Sequence, residues 1–378
     1  MSQNKPAVVI LGGCGFVGRN LVEHLVENDL VSKLRVIDKV SPEIAWLNEK
    51  QKKIFKRPLV EFISGNLIHP STCELIFLNS ADNSDLTWEY VINCAAETRP
   101  GQAEEIYREG IYKLSINCAT AAARYGILKY VEISSGEICT SHKHSCKESD
   151  EPQPWSTIAK YKCQVEKALL EIPGLNYTIV RPGVVYGKSD RHNLAPRLVM
   201  CAIYQYLGET LQLFGGKSLP LNTVHVADLS RAIWHLLSEL PPAKVYREIY
   251  HVVDMGNTCQ EDLMSTLTDI FGVKHDYVGS VTASLCQLDL VGLTEEINDK
   301  HLTPWTQLCR KHNIDNTPLT PYIVPDMLNL KPVHLDNAKL RDTGFEFQVP
   351  QLSRDKLEEI LNDYREMGLF PGEVVTKL

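Results

Sequence analysis

The run Ala7-Val8-Val9-Ile10-Leu11 passes directly into Gly12-Gly13-Cys14-Gly15-Phe16-Val17-Gly18 and then into residues with helical spacing. A buried strand that ends in a glycine turn and restarts as a helix is the opening unit of a doubly wound parallel sheet. Gly12, Gly15 and Gly18 let the chain turn tightly and let the helix pack close to the strand. They also open the backbone N–H groups of the turn, at Phe16 and Val17, to phosphate oxygens. About twenty positions further on, where such a fold needs an acid, Asp38 ends the strand-like run Leu34-Arg35-Val36-Ile37-Asp38. A carboxylate there accepts the ribose hydroxyls of an adenosine and repels a 2′-phosphate, which points to NAD rather than NADP.

Buried strand-like runs continue at 59–63, 90–94, 130–134 and 177–180, separated by helical patterns that include 104–125 and 157–171. The expected fold is therefore α/β, a doubly wound parallel sheet of the Rossmann type with a smaller discontinuous lid. Proline punctuation after Arg181 sets the expected boundaries. Residues 1–181 and 221–255 form the NAD-binding domain, and 182–220 and 256–378 form a substrate-binding lid.

A net charge of -8 over 378 residues offers no basic face for nucleic acid. No apolar run is long enough to cross a membrane, and the charged start opens no signal peptide. Eleven scattered cysteines fit a reducing compartment, so the expected location is cytoplasmic. The final Thr376-Lys377-Leu378 departs by one residue from a peroxisomal address. The loop Cys139-Thr140-Ser141-His142-Lys143-His144-Ser145-Cys146 holds four metal-capable side chains, but not at a zinc spacing, and no metal is expected.

Further segments now join the glycine turn and Asp38. They are Gly65-Asn66-Leu67, Val91-Ile92-Asn93-Cys94-Ala95-Ala96, Ser134-Ser135, Arg181-Pro182-Gly183-Val184-Val185-Tyr186-Gly187, Val224-His225-Val226-Ala227-Asp228 and Asp336-Asn337-Ala338-Lys339-Leu340. Together, and in this order, they resemble the extended short-chain dehydrogenase/reductase family, in particular its nucleotide-sugar epimerases and dehydratases. The resemblance implies that Asn66, Leu67, Cys94, Ala95, Ala96, Lys162, Pro182 and Val185 lie along the cofactor with the glycine turn. It also allows a homodimer through the helices at 104–125 and 157–171, where Cys118-Ala119-Thr120-Ala121-Ala122-Ala123 would permit close approach or, equally, would pack against the protein's own sheet.

The family's acid/base tyrosine stands four residues before its lysine. Here Lys162 matches the lysine and Glu166 the glutamate beyond it, but the tyrosine's position is Ile158. The family's helix asparagine likewise aligns with Ile111, with Asn117 off register. Ser135 matches the hydroxyl that bonds the reacting oxygen, and Glu137 the glutamate by which dehydratases remove a proton. Tyr161 precedes Lys162 by one residue, about 100° around a helix. The expected catalytic set is Ser135, Glu137, Tyr161 and Lys162, acting on a hydroxylated small molecule such as a nucleotide sugar. Two other functions remain open: an NAD-binding regulatory protein without chemistry, and a hydroxysteroid-type dehydrogenase, which an apolar lid pocket would favour.

Overall fold

A computed structural model describes residues 5–78, 86–279 and 289–372. The C-terminal tripeptide lies outside the described residues. Strands run β1 (Ala7–Leu11), β2 (Lys33–Asp38), β3 (Val60–Ser64), β4 (Tyr90–Asn93), β5 (Lys129–Ile133), β6 (Tyr177–Pro182), β7 (Val184–Tyr186), β8 (Leu211–Leu213), β9 (Thr223–His225), β10 (Glu248–Val252) and β11 (His275–Tyr277). Seven of them form one parallel sheet in the order β3-β2-β1-β4-β5-β6-β10. Both faces are covered, which is why β1 is apolar and buried at every position. Strand order reverses between β1 and β4, so a crevice opens there beyond the strands' carboxyl ends.

Apolar clusters lie on the two faces of this sheet. A separate cluster gathers Leu198, Ile203, Leu267, Trp305, Leu308 and Ile360, among others, away from the sheet. Leu340 and Phe345 join the sheet's cluster instead, and Lys339 donates to the Ile249 carbonyl at 2.7 Å. The segment around 338–347 therefore packs on the dinucleotide side, although it follows the lid helices in sequence.

The long helical pattern at 104–125 is interrupted. It forms Glu104–Tyr107, a wide turn over Arg108–Lys113 and Leu114–Arg124. The wide turn adds a residue to the helical register and changes which side chains of Leu114–Arg124 face the sheet. Cys118, Ala119, Ala121 and Ala122 are buried against the protein's own sheet. They are thus already covered, and close approach of a second copy along them is not available.

Among the described residues no helix is long and apolar enough to cross a membrane. Cys139 and Cys146 are buried while His142 and His144 are exposed. The two cysteines share one apolar cluster while the two histidines face outward, and no metal-holding group of His, Cys, Asp or Glu occurs among the described residues.

Candidate active site

The glycine turn is built to admit a bound group. Gly12 has φ +74, and a Cβ there would lie 2.6 Å from the Ala95 Cα; a Cβ on Gly18 would meet the Gly13 Cα at 2.6 Å. The helix Phe16–Glu27 begins without a side-chain cap, which leaves its first N–H groups for an anion. Asp38 accepts from the Cys14 N–H at 2.9 Å and the Val40 N–H at 3.0 Å, so its carboxylate is fixed at the turn with lone pairs to spare. These residues fit the pyrophosphate and adenosine ribose of NAD. Ala95 faces Gly12, Leu67 is buried beneath the exposed Asn66, and Pro182 and Val185 are buried.

Arg19 holds this turn in place, although no motif singles it out. Its guanidinium is 2 % exposed and donates to the carbonyls of Cys14, Gly15, Ala45 (2.7 Å) and Trp46 (2.8 Å). Burial, and then the charge of Arg191, pushes its pKa down to about 10. A cation buried among carbonyls one helical turn from the glycines fixes both sides of the phosphate loop. Arg19→Lys keeps the charge and loses the fork, and is expected to weaken NAD binding about tenfold in calorimetric titration, the worth of roughly one charge-assisted bond. Unchanged affinity would show that the loop is held by other contacts.

Around the aligned lysine the structure departs from the expected arrangement. Lys162 Nζ donates to Glu132 Oε1 at 3.1 Å and to the Ile133 carbonyl at 2.5 Å, and the ion pair is almost wholly buried. Glu132 also accepts from Asn93 Nδ2 (2.7 Å), Ser115 Oγ (2.9 Å) and the Tyr130 hydroxyl (3.1 Å). Asn93 and Glu132 meet because β4 and β5 pair them directly. Lys162 is thus neutralised beneath the site. Ser115 takes part in this network; Asn117 instead bonds the Ile68 carbonyl at 2.8 Å, and Ile111 is buried.

A cavity of about 560 Å³ opens between the start of the helix Thr157–Leu169 and the lid helices. Of the four expected catalytic residues only Glu137 lines it. Ser135 turns its Oγ to the Glu137 N–H at 3.2 Å, Lys162 is buried with Glu132, and Tyr161 packs its ring on Tyr107 at 6.3 Å within the sheet's apolar cluster. Three residues beyond Ile158, Tyr161 lies on nearly the same helix face but about one turn further along the axis, where its ring meets Tyr107 instead of the cavity. Ile158 does face the cavity, with its neighbours Trp155, Ser156 and Thr157.

Ser156 caps the helix Thr157–Leu169, its Oγ accepting from the Ala159 N–H at 3.1 Å while donating to Glu137 Oε2. Burial raises the Glu137 carboxyl, an effect that the Ser156 bond only partly opposes. Oε1 carries no hydrogen bond to any described residue. The helix cap thus presents a carboxyl to the cavity at the wall that Ile158 makes apolar. Glu166, by contrast, is committed to Arg181 (2.9 and 2.6 Å) and Ser134.

Sequence reasoning passed over Glu132, Asn93 and Ser115. The signal available was a glutamate among the apolar Tyr130, Val131 and Ile133 of one strand, where a charge needs a buried partner. Arg197 belongs to none of the motifs in the sequence. In the structure it lines the cavity, donating to the Asn193 carbonyl at 2.8 Å and making no ion pair with any described carboxylate. Its neighbour Asp190 is occupied by the backbone N–H groups of residues 192–195.

Residues 8–251 match the family model described as the NAD dependent epimerase/dehydratase family. Comparison with curated proteins finds no match. Among solved structures, UDP-glucose 4-epimerase of Thermus thermophilus in complex with NAD is similar at 19% identity and TM-score 0.64, covering 95% of this chain and 99% of that one. UDP-glucuronic acid 4-epimerase of Bacillus cereus, with UDP-glucuronic acid and NAD, is similar at 15% identity and TM-score 0.68, over 96% of this chain and 99% of that one. The dTDP-glucose 4,6-dehydratase DesIV of Streptomyces venezuelae gives 19% identity and TM-score 0.66, over 95% and 97%. At such identities the likeness is one of fold.

Proposed function

Since the chain belongs to the NAD-dependent epimerase/dehydratase family, we propose that it is an NAD-dependent enzyme acting on a hydroxylated small molecule, with Glu137 in place of the missing tyrosine. The observation that carries this reading is the Glu137–Ser156 pair, lining a cavity next to Ile158. Residues 182–220 and the later lid helices cover the substrate, and the sheet with the glycine turn and Asp38 holds NAD. When bound, NAD supplies a hydride acceptor.

Glu137 takes the hydroxyl proton of the substrate at Oε1, while Ser156 Oγ holds Oε2 and keeps the carboxylate oriented. A carboxyl raised by burial is a stronger base when ionised than a solvated one, which suits proton removal near neutral pH. The Ile158 wall keeps water from the reacting carbon. Lys162 does not touch the substrate; paired to Glu132, it braces the sheet beneath the site. Ser135 orients the Glu137 backbone.

Glu137→Gln is expected to lower turnover by about 10²-fold, the lower range for a general base, with NAD affinity unchanged. The check is reduced-nicotinamide absorbance across a panel of hydroxylated substrates, beside calorimetric titration with NAD. Activity should rise with pH through a limb above the usual carboxylate range, and the limb should be absent in the glutamine variant. Full turnover in Glu137→Gln would overturn the assignment. The Ile158 wall and the neutralised Lys162 favour a second reading, an NAD-binding regulatory protein, which expects tight NAD binding and no turnover on any substrate.

A further inference from the structure

Most of the cavity's inner wall is apolar, with Trp155, Ile158, Met200, Phe214, Met264 and Leu330 among its side chains. Of the charged or histidine side chains in the lining, His192, Glu296, Lys300, Asp326 and Lys331 are exposed, and Lys300 is already paired to Glu209. His301, though lining the cavity, is buried, and burial pushes its pKa down to about 4, so it is neutral. That leaves Glu137 and Arg197 as the charged groups withdrawn from solvent. Glu137 is matched by Ser156; Arg197 has one bond, to the Asn193 carbonyl, and no carboxylate partner among the described residues.

A guanidinium has five N–H donors, and leaving it unpaired in a partly buried wall costs free energy that a bound anion would offset. Arg197 is anchored through its backbone. It stands on the helix Ala195–Leu207, whose start is pinned by four backbone bonds to Asp190. The Asn193, Arg197, Met200 and Tyr204 side chains follow one another at three or four residues, so they form a single stripe along the cavity. That stripe passes from polar at one end to apolar at the other. Few buried polar atoms in the walls lack a partner: Trp155 Nε1, Gln260 Oε1 and His301 Nδ1 among the described residues. A ligand covered in hydroxyls would leave most of them facing carbon, at about 1–3 kcal/mol each.

We propose that the cavity takes an alcohol or ketone with an apolar body and one anionic group, carboxylate or phosphate, which Arg197 grips in bidentate fashion while the apolar walls enclose the body. This rests on the enzymatic reading above and names the substrate class of the same site. Arg197 is then the residue that sets specificity, and Glu137 the one that meets the reacting hydroxyl.

The test is calorimetric titration of the full-length protein with decyl phosphate, decanoate, decanol and UDP-glucose, below the micellar range. One of the two anionic probes should bind at least tenfold tighter than decanol and than UDP-glucose, and which of them does so identifies the head group. Arg197→Met should bring that probe to the decanol level and leave decanol within twofold. Arg197→Lys, keeping the charge without the fork, should give an intermediate preference. The proposal is overturned if UDP-glucose binds more tightly than the amphiphiles, or if Arg197→Met leaves the anionic preference intact in a protein whose circular dichroism is native. Reduced-nicotinamide absorbance across the substrate panel reports separately on the enzymatic reading, because NAD binding is common to an enzyme and to a regulatory protein while turnover is not.

Discussion

Glu132→Leu is expected to lower the stability of the protein by about 3–5 kcal/mol, read as a shift in guanidinium unfolding at constant slope. Glu132 is wholly buried and accepts hydrogen bonds from Asn93, Ser115, Tyr130 and Lys162. Its removal leaves the Lys162 ammonium in a site that is 4 % exposed, with only the Ile133 carbonyl for company. The double variant Glu132→Leu with Lys162→Met is expected to recover most of the loss, because the cost lies in the uncompensated charge rather than in the absent contact. Equal destabilisation of the single and double variants would mean that the ion pair is not the reason Glu132 is buried. A second readout concerns the site: with Lys162 released, NAD affinity should change in the single variant and return in the double one.

Gly12→Ala is expected to abolish NAD binding in practical terms, with affinity reduced about 10²-fold, and to lower the melting temperature. A residue other than glycine at φ +74 carries about 1–3 kcal/mol of strain, and the new methyl would lie 2.6 Å from the Ala95 Cα. Relief requires β1 and the segment after β4 to separate, which moves the N–H groups of the turn away from the pyrophosphate position. Calorimetric titration with NAD, with circular dichroism to show a retained sheet, checks this. Near-native affinity in a folded Gly12→Ala protein would mean that the dinucleotide does not seat on this turn.

Much of the architecture is written locally. β1, the glycine turn and Asp38 fall where hydrophobic periodicity and spacing place them, and the strands at 59–63, 90–94, 130–134 and 177–180 are matched to within two residues or so by β3, β4, β5 and β6. The helix at 104–125 was less legible, because the wide turn at Arg108–Lys113 inserts a residue without changing the apolar texture. The site was harder still. Ser135 and Lys162 were assigned roles by motif and Tyr161 as a substitute for the missing tyrosine, and each is drawn aside by a contact the motif does not contain: the Glu137 N–H, Glu132 and the Tyr107 ring.

By itself, then, the sequence determined the dinucleotide half of this protein, since a strand, a glycine turn, a helix and an acid at the end of the next strand are set by backbone sterics and by spacing within some thirty residues. Only the tertiary structure decided what stands opposite that half. Glu132 reaches Lys162 across thirty residues, Glu137 reaches Ser156 across nineteen, and Arg197 shares a cavity with both Ile158 and Met264. Whether a charge is paired, exposed or left for a ligand depends on which distant side chains arrive beside it. That is settled by packing, not by local periodicity.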